Sequence, residues 1–412
     1  MFRLFTPVKP RLFVALLSRR PTSTLSTPHA PARRPQEPLR ILFCGSDDFS
    51  CPSLKALHQE MERKTGLVES IEVVVLPNKY KGRGMRYVED GPCKTLAKKL
   101  GLQLYERRDP EDWDGPLPVG TNLIVAVSYG AFIPAKILAS AKYGGLNVHP
   151  SLLPDLHGAA PLHHTLLRGD THTGVTLQTL DDKAFDRGII LAQTPSPGIP
   201  ISDDDVLNSL RDKTAAHGAK MLIQGLRDGL HIPPYRDVGW KAAQLKEQGI
   251  EKPQHARKTI KDDSMIQPDW TAEDFWLRYR TFGKVWARAV YCRSHHANRI
   301  ILEDVEPVTL EEDYLEKLPP YEGLRLLIFE YEDKGGDVPM RHERRVIWRN
   351  DCLSPALIHA KGNDWIRVRR IRVAGKHDTH SSLALPPFAR KRKAILGAEY
   401  PMFYPRPVKK EN

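Results

Sequence analysis

Short apolar runs alternate with segments of helical periodicity from residue 39 onward, and this alternation limits the fold more than any other feature of the sequence. The apolar runs predict strands at residues 39–44, 71–76, 122–127 and 174–178. The helical spacing predicts helices at residues 52–60, 93–100 and 134–141. Strands and helices in this order indicate a doubly wound, mostly parallel, Rossmann-like α/β sheet. Ligands of such sheets bind beyond the carboxyl ends of the strands, where we expect the site.

A polar motif follows the apolar run that ends near residue 149. Asn147 and His149 are two residues apart, so in an extended backbone their side chains face one pocket. Prolines on both sides of residues 151–153 end the strand and bracket a rigid turn. An amide, a protonated imidazole and a carboxylate together stabilise a carbonyl that is becoming an oxyanion. Asp186 is the candidate carboxylate, and Asp181 in the same loop is the alternative.

Each of these residues alone has a simpler explanation. An Asn or His near a strand end is commonly a turn residue or a buried, hydrogen-bonded group, and an Asp before Arg-Gly is commonly a turn former. The joint pattern argues otherwise, because N-x-H-x-S-L-L-P, G-A-A-P, T-G-V-T and D-x-G follow one another within about forty residues. With these motifs the segment resembles the catalytic core of the 10-formyltetrahydrofolate-dependent formyltransferases. The whole chain resembles the branch of that family that acts on methionyl-tRNA.

The resemblance implies a reaction and a set of binding residues. The formyl group of 10-formyltetrahydrofolate would pass to the α-amine of methionyl-initiator tRNA, with Asn147 and protonated His149 holding the formyl oxygen. Folate, the formyl donor, would lie against five residues: Tyr129, Ser151, Leu152, Leu153 and Pro154. Ser46 and Phe49 would border the methionine side chain, although Phe49 can equally pack its helix onto the sheet.

Two basic regions are candidate tRNA contacts. The glycine-bearing loop around residues 82–86 supplies Arg83 and Arg86, because glycine leaves room for a phosphate backbone and arginine supplies charge. Residues 361–412 contain thirteen Lys or Arg against four acidic residues. That excess includes the run Arg390, Lys391, Arg392 and Lys393. We expect both regions to contact the acceptor stem; the alternatives are a solvated loop and a solvated charged face.

The first 36 residues account for much of the net charge of +12, because they hold seven basic residues and no acidic one. They are also rich in Ser and Thr and include an apolar stretch, so residues 1–37 are predicted to be a mitochondrial transit peptide. The matrix is then the expected location, and a disordered basic tail is the alternative.

Several classes of protein are disfavoured. The turn after the first strand lacks G-x-G-x-x-G, so a dinucleotide site is not supported. The five cysteines have no metal-type spacing, and we expect no metal. No stretch approaches the roughly 20 apolar residues of a membrane span. We expect a soluble, globular monomer.

The domains expected beyond the transit peptide are a catalytic domain at residues 38–230, a linker at 231–253 and a tRNA-binding domain at 254–412. A helix is predicted from Ser202 to Leu230 with Ser202 as its cap. The linker is predicted to be extended and polar. The last domain resembles the family's C-terminal OB-like β-barrel, with residues 303–337 as an acidic insertion between strands.

Two rival functions remain open at this point. A formyltransferase with a small amine acceptor, such as glycinamide ribonucleotide or an amino-sugar nucleotide, or a formyltetrahydrofolate hydrolase, would share the catalytic core. It would have no use for the basic loop and tail. A catalytically inert RNA-binding protein is the second rival, and the intact set of Asn147, His149 and Asp186 argues against it.

Overall fold

Two large β-sheets organise the described part of the chain, one in each half. The computed structural model describes residues 37–77, 80–81, 87–107, 113, 117–310, 325–331, 339–348, 355–362 and 364–391. Among these residues, no helix has both the length and the apolar composition to cross a bilayer.

The first sheet has seven strands: β1 Leu39–Gly45, β2 Val68–Val75, β5 Gln103–Glu106, β6 Leu123–Val127, β7 Gly145–His149, β9 Thr176–Thr179 and β10 Ile190–Gln193. They pair in the order β10-β9-β7-β6-β1-β2-β5. The five strands from β5 to β7 in this order are parallel, whereas β9 and β10 are antiparallel additions at one edge. Two small antiparallel pairs lie apart from the sheet: β3 Tyr80–Lys81 with β4 Tyr87–Val88, and β8 His172–Thr173 with β11 Ile199–Pro200.

Helices cover both faces of this sheet because its central strands are apolar on both sides. In β1, Phe43 belongs to the core on one face, while Leu42 and Cys44 belong to the core on the other. Such strands are typical of parallel sheets. The helices are α1 Ser50–Glu62, α2 Pro92–Lys99, α3 Ala135–Ser140, α4 Pro161–Leu167 and α5 Leu207–Arg227.

The second half is an antiparallel sheet that follows α6 Lys241–Glu247, a 3-10 turn at Lys261–Ser264 and α7 Ala272–Phe282. Its elements are β12 Val285–Val290, β13 Ala297–Val308, β14 Arg325–Tyr331, β15 Met340–Ile347, β16 Ala356–His359, β17 Trp365–Val373, β18 Asp378–His380, α8 Ser381–Ala384 and β19 Ala389–Lys391. Six strands pair in the order β12-β13-β17-β16-β15-β14, and β14 pairs back to β12. The ring of strands is therefore closed.

The expectation of an unpatterned acidic insertion at residues 303–337 is wrong where the structure describes it, because β13 and β14 occupy part of that range. The acidic residues of β13 face arginines of β17 across the strand pair. Glu303 binds Arg372 at 2.6 Å, and Asp304 binds Arg369 at 2.8 Å. Alternating charge on an outward strand face explains why the apolar pattern was weak there.

Two further segments differ from the sequence predictions. The linker is not wholly extended, because α6 forms within it; the side-chain oxygen of Gln193 accepts from the backbone N–H groups of Trp240 and Lys241 at the start of that helix. The helix predicted from Ser202 begins at Leu207. Its early residues form a turn instead, because the buried Arg280 side chain binds the Ser202 and Asp205 carbonyls that a helix would use.

Candidate active site

A cavity of about 680 Å³ opens at the carboxyl ends of the parallel strands β6 and β7. Its wall includes the ends of these strands, the turn before α4, the loop after β9 and the first turns of α5. Of the predicted site residues, five line it: Phe49, Tyr129, Asn147, His149 and Asp186. Its size suits a drug-sized ligand.

Asp186 lies at the centre of the polar network in this cavity. Its Oδ1 receives the side chains of Asn147, His149 and Gln178, at 3.3, 3.2 and 3.2 Å. Its Oδ2 accepts the backbone N–H of Gly158 at 2.8 Å. Asp186 has a φ of 57°, a left-handed conformation that Asp tolerates better than most residues. The four contacts hold one ionised carboxylate in place.

His149 is buried and contacts an acceptor at each ring nitrogen. Nδ1 lies 3.2 Å from Asp186 Oδ1, and Nε2 lies 3.1 Å from the carbonyl oxygen of Leu156. Leu156 presents that carbonyl from a left-handed backbone with φ 54°. A ring that donates at both nitrogens carries both protons, so this geometry suits the positively charged imidazole. Both N–H groups of His149 are therefore already hydrogen-bonded to acceptors of the protein.

Asn147 keeps a donor for a substrate. Its amide nitrogen carries two hydrogens, and only one is directed to Asp186. The residue is half-buried and lines the cavity, while its neighbour Val148 is fully buried in the core of the sheet. Of the two predicted oxyanion donors, Asn147 is therefore the one with an N–H that binds no other residue in the described part of the chain.

The predicted folate segment lies outside the cavity wall. Ser151, Leu152 and Leu153 are buried, and the Ser151 hydroxyl donates to the Asp155 carbonyl. The cavity wall is formed on either side of this segment, by Pro150 and by residues 158–162. The contact of folate with Ser151, Leu152, Leu153 and Pro154 stays a prediction, with Tyr129 as the one member of the set at the cavity.

The two residues predicted for the methionine side chain have different positions. Phe49 lines the cavity, and its ring also belongs to the hydrophobic core of the sheet, where it approaches Gly218 of α5. The Ser46 hydroxyl instead donates to the Tyr129 carbonyl at 2.8 Å, which ties the turn after β1 to the turn after β6. Ser46 therefore supports the cavity wall rather than forming it.

The six predicted tRNA contacts fall into two groups. Arg83, Arg86, Arg392 and Lys393 lie outside the described residues. The backbone of Arg390 and Lys391 is described as part of β19, which pairs with β14. The arginines of β17, which also contribute to the basic C-terminal charge, are engaged with carboxylates of β13 and with Asp378.

The pKa values of several titratable groups around the cavity are shifted by the protein that surrounds them. Asp47 is open to the cavity, but the walls desolvate its carboxylate and raise its pKa above the ordinary value. Burial lowers the pKa of His157 and of His163. Asp181 also lines the cavity, and backbone N–H groups of its own loop lower its pKa. In the described residues no group of three or more His, Cys, Asp or Glu side chains could hold a metal ion.

Three residues of the site were not predicted from the sequence. Gln178 lies opposite Asn147 in the antiparallel register of β9 and β7, and it is 1% exposed. Its Oε1 is buried with no hydrogen-bond partner in the described structure. Gly158 and His255 also border the site. The sequence signal for Gly158 was the G-A-A-P motif, whereas nothing local indicated Gln178 or His255.

Comparison with known proteins finds relatives of this chain. Residues 39–226 match the family described as formyl transferase. A methionyl-tRNA formyltransferase of Geobacillus sp. is 35% identical over 264 residues, which cover 60% of this chain and 76% of that protein. The mitochondrial methionyl-tRNA formyltransferase of Saccharomyces cerevisiae is 34% identical, over 57% of this chain and 65% of its own length. A solved N-formyltransferase of Helicobacter canadensis aligns at 11% identity with a TM-score of 0.46, over 80% of this chain and 98% of that chain.

The fold, the cavity and the matched domain define a formyltransferase. On the identity and coverage of the Geobacillus relative, the chain belongs to the methionyl-tRNA formyltransferase family.

Proposed function

We propose that this protein transfers the formyl group of 10-formyltetrahydrofolate to the α-amine of methionyl-initiator tRNA. The observation that carries the proposal is the convergence of Asn147, His149 and Asp186 on a cavity large enough for the reacting ends of two substrates. Family membership supports the reaction, and the names of the relatives support methionyl-tRNA as acceptor.

The reaction forms a bond from the amine nitrogen to the formyl carbon and breaks the bond from that carbon to N10 of the folate. Between these events the formyl oxygen carries negative charge. Asn147 donates its free N–H to that oxygen, and the positive ring of His149 stabilises the charge from beside it. N10 leaves with a proton, and the amine loses one.

Asp186 is the acceptor of the proton that the amine loses. Each carboxylate oxygen has two lone pairs. Three side-chain donors converge on Oδ1, whereas Oδ2 accepts, from the described residues, only the Gly158 N–H. The free lone pair on Oδ2 is therefore the position for the proton, received directly or through a water molecule.

The second half of the chain supplies the tRNA contacts in this proposal. Its closed ring of strands is the candidate OB-like β-barrel, and the basic segment that begins at β19 is the candidate contact with the acceptor stem. The basic residues 1–37 and the mitochondrial relative from yeast support import into the mitochondrial matrix. We infer a catalytic domain at residues 38–230, a linker at 231–253 and the tRNA-binding domain at 254–412, acting as a monomer.

The test is a transfer assay with three acceptors. The purified protein receives formyl-labelled 10-formyltetrahydrofolate with methionyl-initiator tRNA, with glycinamide ribonucleotide, or with no acceptor. We expect label on the tRNA alone. Label on glycinamide ribonucleotide would show that the acceptor is a small amine and not the tRNA. Release of free formate without an acceptor would show that the protein is a hydrolase.

A further inference from the structure

Four residues from the second half of the chain lie against the turn that carries the site. Residues 254–257, which we call the docking segment, come after α6 and outside the matched formyl transferase region. The Ala256 N–H donates to the His157 carbonyl at 2.7 Å, and the Ala256 carbonyl accepts the Ala160 N–H at 3.1 Å. Ala256 is fully buried there. The docking segment thus forms a short parallel bridge with the turn between β7 and α4.

Side chains of the first half fix both ends of the docking segment. Asp155 Oδ1 accepts the Gln254 N–H at 3.3 Å. At the other end, His164 Nε2 donates to the Arg257 carbonyl at 3.0 Å. The docking segment is therefore held along its whole length, as a strand is held in a sheet.

Gly158 connects the docking segment to the catalytic carboxylate. Its N–H is the sole described donor to Asp186 Oδ2, at 2.8 Å. Its φ of +117° is a conformation that other residues rarely adopt. A Cβ at this position would lie 2.6 Å from Cε1 of His255 and 2.7 Å from the Ala256 carbonyl oxygen. Only glycine lets the docking segment pass so close to the carboxylate.

His255 brings a side chain of the docking segment to the cavity itself. The residue is exposed and lines the cavity, and its ring packs on the ring of His157 with centroids 4.9 Å apart. It lies beside the start of α4. The second half of the chain packs on the same helix, where the ring of Phe282 lies 6.1 Å from that of His163. His255 is thus a residue of the proposed tRNA-binding domain that lies on the cavity rim.

We propose that the docking segment is part of the active site: it positions the Gly158 N–H on Asp186, and His255 contacts the 3′-terminal nucleoside of the acceptor RNA. An exposed imidazole can stack on a base and can hydrogen-bond a ribose hydroxyl. The inference rests on the proposed function, because it needs an RNA acceptor.

The positioning role is tested with Gly158→Ala and the control Gly101→Ala in the full chain. Gly101 also has a positive φ, of 68°, but a Cβ there would meet nothing within 4 Å. The control therefore carries the backbone strain without the collision. We expect Gly158→Ala to lower kcat by about 10²-fold, the cost of a small misplacement of catalytic groups. We expect Gly101→Ala to stay within about twofold of the unaltered protein. Equal rates in the two variants would overturn the positioning role.

The binding role is tested with His255→Ala and the control His172→Ala, an exposed histidine outside the cavity lining. Loss of one stacking contact should raise KM for methionyl-tRNA by about tenfold. The KM for 10-formyltetrahydrofolate and kcat should stay unchanged, which a general loss of structure would not give. An unchanged KM for the tRNA would overturn this role even if Gly158→Ala fails to fold. If the unaltered protein formylates no tRNA, the proposed function and the assignment of His255 both fall.

Discussion

Replacing Asp186 by asparagine removes one charge from the centre of the network and leaves its shape nearly intact. The left-handed φ of 57° suits asparagine as well as aspartate, so the backbone is not strained. An amide has one oxygen, and that oxygen can meet the three side-chain donors at the Oδ1 position. The amide nitrogen then faces the Gly158 N–H, donor against donor. One hydrogen bond to a charged group is lost.

The substitution should lower both the stability of the protein and the rate of transfer. A hydrogen bond to a charged group is worth about 1.5–3 kcal/mol, so the unfolding free energy should fall by about that amount. The chemical effect is larger, because the amine has no carboxylate to receive its proton and the imidazolium of His149 has no counter-charge. A general base contributes about 10²–10⁴-fold, and we expect kcat to fall by about 10³-fold. We expect the affinity for folate to be kept, because the proposed partner of this carboxylate is the amine of the acceptor.

The assay measures single-turnover formyl transfer to methionyl-tRNA, folate binding by fluorescence titration, and unfolding in urea. Asp181→Asn is the matched control, because Asp181 lies in the same loop and lines the same cavity. Its Oδ1 accepts backbone N–H groups of Lys183 and Ala184, which an asparagine oxygen also accepts. We expect that control to keep its rate. A slow Asp181→Asn beside a normal Asp186→Asn would refute the assignment and move the carboxylate role to Asp181.

Three further predictions test other parts of the structure. Asn147→Ala should lower kcat by about 10²–10³-fold in the same transfer assay with folate affinity unchanged, and an unchanged kcat would remove Asn147 from the mechanism. Arg280→Ala should lower the unfolding free energy in urea by about 3 kcal/mol, because it removes the hydrogen bonds that the charged guanidinium donates to the Ser202 and Asp205 carbonyls; an unchanged midpoint would contradict this. Burial lowers the pKa of His342 to about 3, so its stabilising contribution is complete above pH 6.5 and falls as the pH drops, by about 2 kcal/mol at pH 5. His342→Leu should flatten the loss of stability between pH 7 and 5, and a slope as steep as that of the unaltered protein would contradict the prediction.

Local sequence predicted the elements on which the site is built. The apolar runs placed β1, β2, β6 and β9 within a few residues, because strands buried on both faces need continuous apolar sequence. Spacing of two residues brought the side chains of Asn147 and His149 to the same carboxylate. Both predictions follow from local backbone geometry, so they can be made from a single sequence.

The features that the sequence did not predict depend on contacts between residues that are far apart in the chain. Gln178 reaches Asp186 because β9 is antiparallel to β7, a register that no local pattern fixes. Ser202 looked like a helix cap, but Arg280, 78 residues later, binds its carbonyl and delays the helix. The charged faces of β13 and β17 concealed both strands, since the acidic residues of β13 form ion pairs with arginines of β17. Hydrophobic periodicity indicates which residues are buried, but it does not indicate which partner binds a polar group.

The two halves of the chain meet the cavity at two separate places, and each contact uses backbone groups. Arg280 holds the turn that precedes α5, and α5 begins with Leu207, which lines the cavity. The docking segment holds the turn that carries Gly158, and Gly158 holds Asp186. The contacts of Ala256 join backbone to backbone, whereas the contact of Arg280 needs its side chain. The second half therefore fixes the wall that receives the acceptor as well as binding the tRNA in our proposal, and the amine and the carboxylate are aligned by one connected structure.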